Sequence, residues 1–151
     1  MPELPEVETV TQSVKKHLIN NHFTAITVNW DKTLHNFNIS DFNSKIKNKP
    51  ISDVYRRGKY ILIDVESSLV AVHLRMTGKV ILEKPTIKNM KYVSFHLIFS
   101  DGSNLFFQDV RKFGRIYICN NLYWLEKKLG VEPLSNAFTS KWLYSQLQKR
   151  K

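Results

Sequence analysis

The chain opens MPELPEVETV, and three of its 13 acidic residues, Glu3, Glu6 and Glu8, fall within the first eight positions of a protein of formal net charge +10. Beside them stands Pro2, which trimming of Met1 would turn into a free secondary amine. An α-amino group has a pKa of about 7.7–8, far below that of lysine, so a useful fraction is neutral and nucleophilic at physiological pH. A secondary amine that attacks a sugar or carbonyl carbon yields an iminium ion directly, the covalent step of Schiff-base catalysis. Glu3, its immediate neighbour, can shuttle protons if its surroundings raise its pKa. The pyrrolidine ring also restricts where the nitrogen points. A plainer use of the same carboxylates is to offset the dipole in a first helical turn. That use accounts for Glu6 and Glu8 but leaves Pro2 and Glu3 without a purpose.

Three basic segments offer further chemistry. RRGKY places Arg56, Arg57 and Lys59 around Gly58. It reads either as a basic hairpin in solvent or as a phosphate clamp, with glycine admitting backbone close to a ligand and Lys59 pointing into a site. HLRMTG, His73–Gly78, reads as a strand ending in a turn. There His73 could bind phosphate, and Met76 could equally be core. QDVRKFG, Gln108–Gly114, sets the bulky Phe113 in a loop with Arg111, Lys112 and, just after it, Arg115. Wedge side chains that enter a DNA stack have this character, and arginine can read an exposed base edge.

These residues need a scaffold. Val7, Val10, Val14 and Leu18 recur at the spacing of one helical face, Pro5 suits a first turn, and Lys15, Lys16 and His17 suit a last one, which predicts a helix from about Pro5 to Ile19. Strand-like runs follow: FTAITVNW, ISDVYRR, YILIDV, SLVAVHLR, KVILEK, YVSFHLIFS, NLFFQD and GRIYIC. Ser100-Asp101-Gly102-Ser103 is a hairpin signal, and Ser40–Asn48 reads as a short helix among the strands. Many short strands at close spacing indicate a two-sheet sandwich or flattened barrel. Two helices are expected at the end, Asn121–Leu129 and Thr139 onward, joined by the proline-containing GVEPLSNAF. The last carries Trp142, Leu143 and Leu147 and runs into KRK with no glycine or proline stop, so it reads as the start of a further domain.

The bulk composition narrows the function classes. With 151 residues and 42% apolar content, the chain can bury a sizeable core. No run is long enough to span a membrane and no secretory leader is visible, so a soluble, intracellular protein is expected. Cys119 is the single cysteine, which excludes an internal disulfide and a cysteine-rich zinc site. The 23 Lys and Arg favour a polyanionic partner through counterion release, without separating DNA from RNA or from an anionic membrane surface.

PELPEVET, RRGKY, HLRMTG, DVRKFG and LGVEPL occur here in an order and spacing that resemble the formamidopyrimidine-DNA glycosylase / endonuclease VIII family. LPEVET, rather than a glycine-containing PEGPE form, is similar to the formamidopyrimidine branch, which removes oxidised purines such as 8-oxoguanine and ring-opened formamidopyrimidines. The resemblance implies an α+β, mostly β fold: a two-sheet antiparallel β-sandwich with an N-terminal helix and C-terminal helices. It implies a catalytic domain over 1–130, then over 131–151 a linker and the first helix of a helix–two-turn–helix domain.

It also implies roles. Pro2 is the nucleophile toward C1′, Glu3 its proton-transfer partner, Glu6 a supporting carboxylate, and Lys59 a site lysine touching the DNA backbone near the lesion. Arg56, Arg57 and His73 fall with the DNA contacts, and Met76, Arg111 and Phe113 with the side chains that enter the duplex. The iminium acidifies the adjacent sugar carbon, so glycosylase and lyase activities share one intermediate. The implied partner is damaged double-stranded DNA, met by a monomer of bacterial, cytoplasmic type. No cofactor is expected in this chain, because the family's four-cysteine zinc finger would lie in a further C-terminal part. With one wall of the DNA cleft, weak and mostly electrostatic binding without turnover is expected. Two other classes share part of the pattern. A non-catalytic nucleic-acid-binding β-domain fits the charge and aromatics but leaves MPELPE unused, and a scaffold domain would use the exposed face of the last helix.

Overall fold

The computed structural model describes residues 1–83 and 91–150. Lys84, the last residue of the expected KVILEK strand, and Lys151, at the end of the expected last helix, lie outside them. The chain forms two compact units, Met1–Asn121 and Leu122–Lys151.

The first unit is a pair of four-stranded antiparallel sheets. One has the order β1-β6-β7-β5, built from Phe23–Val28, Val93–Phe99, Asn104–Gln108 and Lys79–Glu83. The other has the order β2-β3-β4-β8, from Ile51–Arg57, Tyr60–Val65, Ser68–His73 and Arg115–Cys119. An α+β, mostly β sandwich is therefore the observed class. Helix α1, Leu4–Leu18, packs on β2 and β3 with Val7, Thr11, Val14 and Leu18 buried. Most residues of β3 and β4 are buried on both sides of the sheet, which is why these strands read as near-continuous apolar runs. The short helix α2, Ile39–Lys45, starts where the Asn38 side chain accepts from the Asp41 N–H and Asp41 accepts from the Asn38 N–H.

Aromatic rings fill the core between the sheets. Phe95 and Phe107 stack at 4.9 Å and 9°, and Phe23 meets Phe99 at 5.0 Å and Phe42 at 6.0 Å. Such offset and edge contacts add to the area that the rings bury. The turn between β6 and β7 closes on Asp101, whose Oδ1 accepts from both the N–H and the hydroxyl of Ser103. The strand expected to reach Trp30 stops at Val28, because the Asn29 and Trp30 N–H groups both turn onto the Ser94 carbonyl.

In the second unit, helix α3 is one turn, Tyr123–Glu126, shorter than its apolar spacing suggests, and no side chain caps its start. Helix α4, Ser140–Gln148, is capped by Thr139, whose hydroxyl accepts from the Trp142 N–H at 3.1 Å. Trp142 packs on Phe138 at 5.4 Å, while Leu143 and Leu147 are exposed.

Truncation of the stacked pair should be costly. Phe95→Ala is expected to destabilise the first unit by about 3–5 kcal/mol, read as a lowered urea midpoint with an unchanged slope.

Candidate active site

The N-terminal segment is held by contacts from both directions along the chain. Glu3 sits in extended conformation just before α1, and its N–H donates to Glu6 Oε2 at 2.9 Å. Glu6 thereby orients the peptide that joins Pro2 to Glu3. From the other side, Lys59 Nζ lies 3.0 Å from Glu3 Oε2. Lys59 reaches it from the two-residue turn joining β2 and β3, where Gly58 takes φ +57° in the position that favours glycine. Arg56 is turned onto α1: its Nε donates to Glu8 Oε2 at 2.7 Å and its Nη1 to the Gly58 carbonyl at 3.1 Å. Lys15 and Asp53, 2.6 Å apart, repeat the tie about two turns further along α1. The Lys15 hydrogen bond holds the Asp53 carboxyl below its usual range, against the opposing effect of burial.

An open cleft of about 500 Å³ is lined by Met1, Lys59, His73, Arg75, Met76, Phe113 and Arg115. A second hollow of about 300 Å³ begins at Pro2 and Glu6 and runs along Leu74, Gly78 and Val80. Adjacent residues at the N-terminus thus line two different hollows: Met1 the first and Pro2 the second. Met76 and Phe113, 41% and 45% exposed, are large apolar groups left in water at this cleft, which rules out the core reading of Met76. Arg111 stacks over the Phe113 ring at 5.1 Å. Arg57, at the end of β2, is half-buried and is not among the cleft-lining residues.

His73 closes β4 and is distinctive in its protonation. The Arg75 N–H donates to its Nδ1 at 3.0 Å, and the Tyr60 ring meets it edge-on at 4.3 Å. Burial, followed by the charges of Arg75 and Lys59, pushes its pKa down to about 4. With Nδ1 accepting, the neutral ring carries its proton on Nε2, so it offers a ligand a hydrogen-bond donor rather than a positive charge.

Two residues that lie inside the QDVRKFG segment but were given no role by its sequence, Asp109 and Gly114, organise the Phe113 loop. Asp109 is 1% exposed; its Oδ1 accepts from the Thr77 hydroxyl and the Arg111 N–H, and its Oδ2 from the Gly114 N–H at 2.7 Å. Gly114 must lack a side chain, since a Cβ there would overlap the Phe107 ring. The available signal was an aspartate opening a cationic loop, a residue type that caps local backbone N–H groups. Among the described residues, no group of three or more His, Cys, Asp or Glu side chains could hold a metal. Cys119 is buried, and the Asn36 amide approaches its sulfur at 3.8 Å.

The sandwich, with its N-terminal residues beside a cationic cleft that exposes Met76 and Phe113, can be set against known proteins. The formamidopyrimidine-DNA glycosylase N-terminal domain matches residues 1–116, so the chain belongs to that family. It is 39% identical over 144 residues to the formamidopyrimidine-DNA glycosylase of Streptococcus agalactiae, covering 91% of this chain and 52% of that protein. It is 40% identical over 158 residues to that of Pelotomaculum thermopropionicum, covering 99% of this chain and 56% of that one. The structure of Lactococcus lactis Fpg in complex with DNA containing an abasic site aligns at TM-score 0.86 and 28% identity, over 98% of this chain and 57% of that one. The structure of MutM in complex with DNA containing carbocyclic 8-oxo-G aligns at TM-score 0.86 and 30% identity, over 98% and 57%. The chain thus spans about half the length of the curated relatives it matches.

The depressed His73 pKa makes stability depend on pH. Between its ordinary 6.5 and about 4, the unfolded chain takes up a proton that the folded site refuses, so this contribution falls as pH drops through that window. Replacement by His73→Gln should flatten the fall in melting temperature between pH 7 and pH 5, and the wild-type His73 ring should stay neutral at pH 6 by NMR.

Proposed function

We propose that this chain carries the nucleophile-bearing part of a base-excision DNA glycosylase and abasic-site lyase acting on oxidised purines in double-stranded DNA. The reading rests above all on one observation: Glu3 is paired at 3.0 Å to Lys59, which lines a cleft together with the exposed Met76 and Phe113. The names of the relatives, and the abasic-site DNA held by the Lactococcus lactis protein, support it.

In this reading, removal of Met1 frees the Pro2 nitrogen, which is an amide while Met1 is attached and neither basic nor nucleophilic. The nitrogen attacks C1′ of an extruded nucleotide as the bond from C1′ to the base breaks, and the departing base takes up a proton delivered through Glu3. The ring C1′–O4′ bond then opens as the nitrogen gives up its proton and O4′ takes one up to leave as a hydroxyl, so that an iminium joins Pro2 and C1′. That cation withdraws electrons from C2′; loss of a C2′ proton expels the 3′ phosphate, and a second elimination expels the 5′ phosphate. Water finally hydrolyses the iminium and restores the amine. Lys59 serves the Glu3 carboxylate and the neighbouring DNA backbone. His73 donates a hydrogen bond to a phosphate oxygen, and Arg111, Met76 and Phe113 occupy the gap that the extruded nucleotide leaves. Extrusion costs a few kcal/mol of stacking, which inserted side chains offset. Arg56, held by Glu8, keeps the β2–β3 turn against α1 and sets the height of Lys59.

Borohydride reduction on abasic-site duplex should trap a covalent adduct on the N-terminal residue. Retention of Met1 should abolish it, and Pro2→Gly should remove it; trapping undiminished by a blocked N-terminus would place the nucleophile elsewhere. For the protein carrying turnover, Glu3→Gln should slow base release by on the order of 10²-fold while leaving trapping on a preformed abasic site largely intact.

The net charge of +10 also favours a second, non-catalytic reading as a nucleic-acid-binding β-domain. It predicts duplex binding with a salt slope of about −0.9 per phosphate contact and equal affinity for intact and abasic-site DNA. A measurable preference for the abasic duplex at matched salt would exclude it.

A further inference from the structure

The cleft's two apolar wedges come from different loops, Met76 from the segment between β4 and β5 and Phe113 from the segment between β7 and β8. We propose that Asp109 and Thr77 are positioning residues that couple these loops, so that Met76, Arg111 and Phe113 act as one rigid insert. Their use as an insert rests on the DNA reading above; their coupling stands on geometry alone.

Thr77 follows Met76 directly, and its hydroxyl donates across to the Asp109 carboxylate of the other loop. The Arg111 N–H lies 3.2 Å from both Thr77 Oγ1 and Asp109 Oδ1, so it is shared between the two loops. The remaining carboxylate oxygen holds the Gly114 N–H, immediately after Phe113. Arg111 and Phe113 are thus bracketed by donors to one buried group. A buried carboxylate is costly unless its oxygens are satisfied, and here three donors satisfy them, so loss of one weakens the hold on the others. The Asp109 N–H is itself fixed to the Tyr92 carbonyl at 2.9 Å.

Packing reinforces the link. Both loops close on the Phe107 ring: a Cβ on Gly78 would stand 2.8 Å from its Cζ, and one on Gly114 would overlap it. Each wedge also follows a residue in the left-handed region, Arg75 at φ +56° and Lys112 at φ +58°. These conformations cost energy for residues with side chains and persist only where the surroundings impose them. From the outer side, Lys112 Nζ rests 4.4 Å over the Trp30 ring. Independent loops would fill the gap in a DNA stack one at a time, leaving an intermediate half-filled. A coupled pair enters in a single step.

The test separates coupling from DNA recognition. Thr77→Val keeps shape and removes the hydroxyl; Thr77→Ser keeps the hydroxyl. Amide hydrogen exchange of Gly114, which donates to Asp109 and not to Thr77, should accelerate by about tenfold in Thr77→Val and stay within about twofold of wild type in Thr77→Ser. Unchanged Gly114 exchange in Thr77→Val overturns the coupling. The second measurement is the ratio of affinities for a duplex holding a tetrahydrofuran abasic analogue and for the intact duplex. Thr77→Val should lower this ratio as far as Met76→Ala does, and Thr77→Ser should restore it. A ratio lowered by Met76→Ala but untouched by Thr77→Val overturns the concerted insert. If neither Met76→Ala nor Phe113→Ala alters the ratio, the DNA reading fails while the exchange result still decides the coupling.

Discussion

A chain terminus is ordinarily the least ordered part of a protein, and a terminal amine can do directed chemistry only if that end is held still. The Glu3–Lys59 pair meets this constraint by tying the residue after Pro2 to the turn between β2 and β3. Helix α1 supplies the stiff base, with Val7 buried one turn beyond Glu3. Glu6 holds the Glu3 N–H from within the helix, Lys59 holds its carboxylate from the sheet, and Arg56 clamps hairpin to helix through Glu8. Exposed ion pairs contribute little to stability singly. Three of them along one helix fix orientation, because each limits the rotation the others leave open.

The same region resolves the tension between an acidic start and a basic protein. Glu3, Glu8 and Asp53 each meet a specific cation rather than the general positive field, and Glu6 accepts from a backbone N–H. Carboxylates can therefore persist in a strongly basic protein because their charge is locally matched. His73 adds the complementary case: a basic residue at the cleft kept neutral by burial and by the cations around it, and oriented by the Arg75 N–H.

The sandwich relates to the cleft through its turns. Strand ends place Lys59, His73, Met76 and Phe113 around one opening, while their backbones are tied to buried strands. Rings such as Phe107 serve both layers, filling the core on one side and supporting two cleft loops on the other. This close packing transmits position from core to site.

Much of the fold was legible from local pattern. The spacing of Val7, Val14 and Leu18 announces α1, the Asp101-Gly102 pair announces a turn, and the strand runs announce two sheets, because these signals depend on neighbours within a few positions. The one-turn α3 was less legible: apolar residues at helical spacing do not report a missing cap. At the site, chemistry and family resemblance raised Pro2, Glu3 and Lys59 as candidates, and the structure pairs Lys59 with Glu3. That Arg56 bonds Glu8, 48 positions away, and that Asp109 bridges to Thr77 could not be read from the sequence, and the exposure of Met76 followed from the resemblance but not from its residue type. The amino-acid sequence by itself determined which groups were available to react and the local elements that carry them. Only the tertiary structure decided which cation meets which carboxylate and which carboxylate is buried, since pairing and desolvation arise from atoms that chain order keeps far apart.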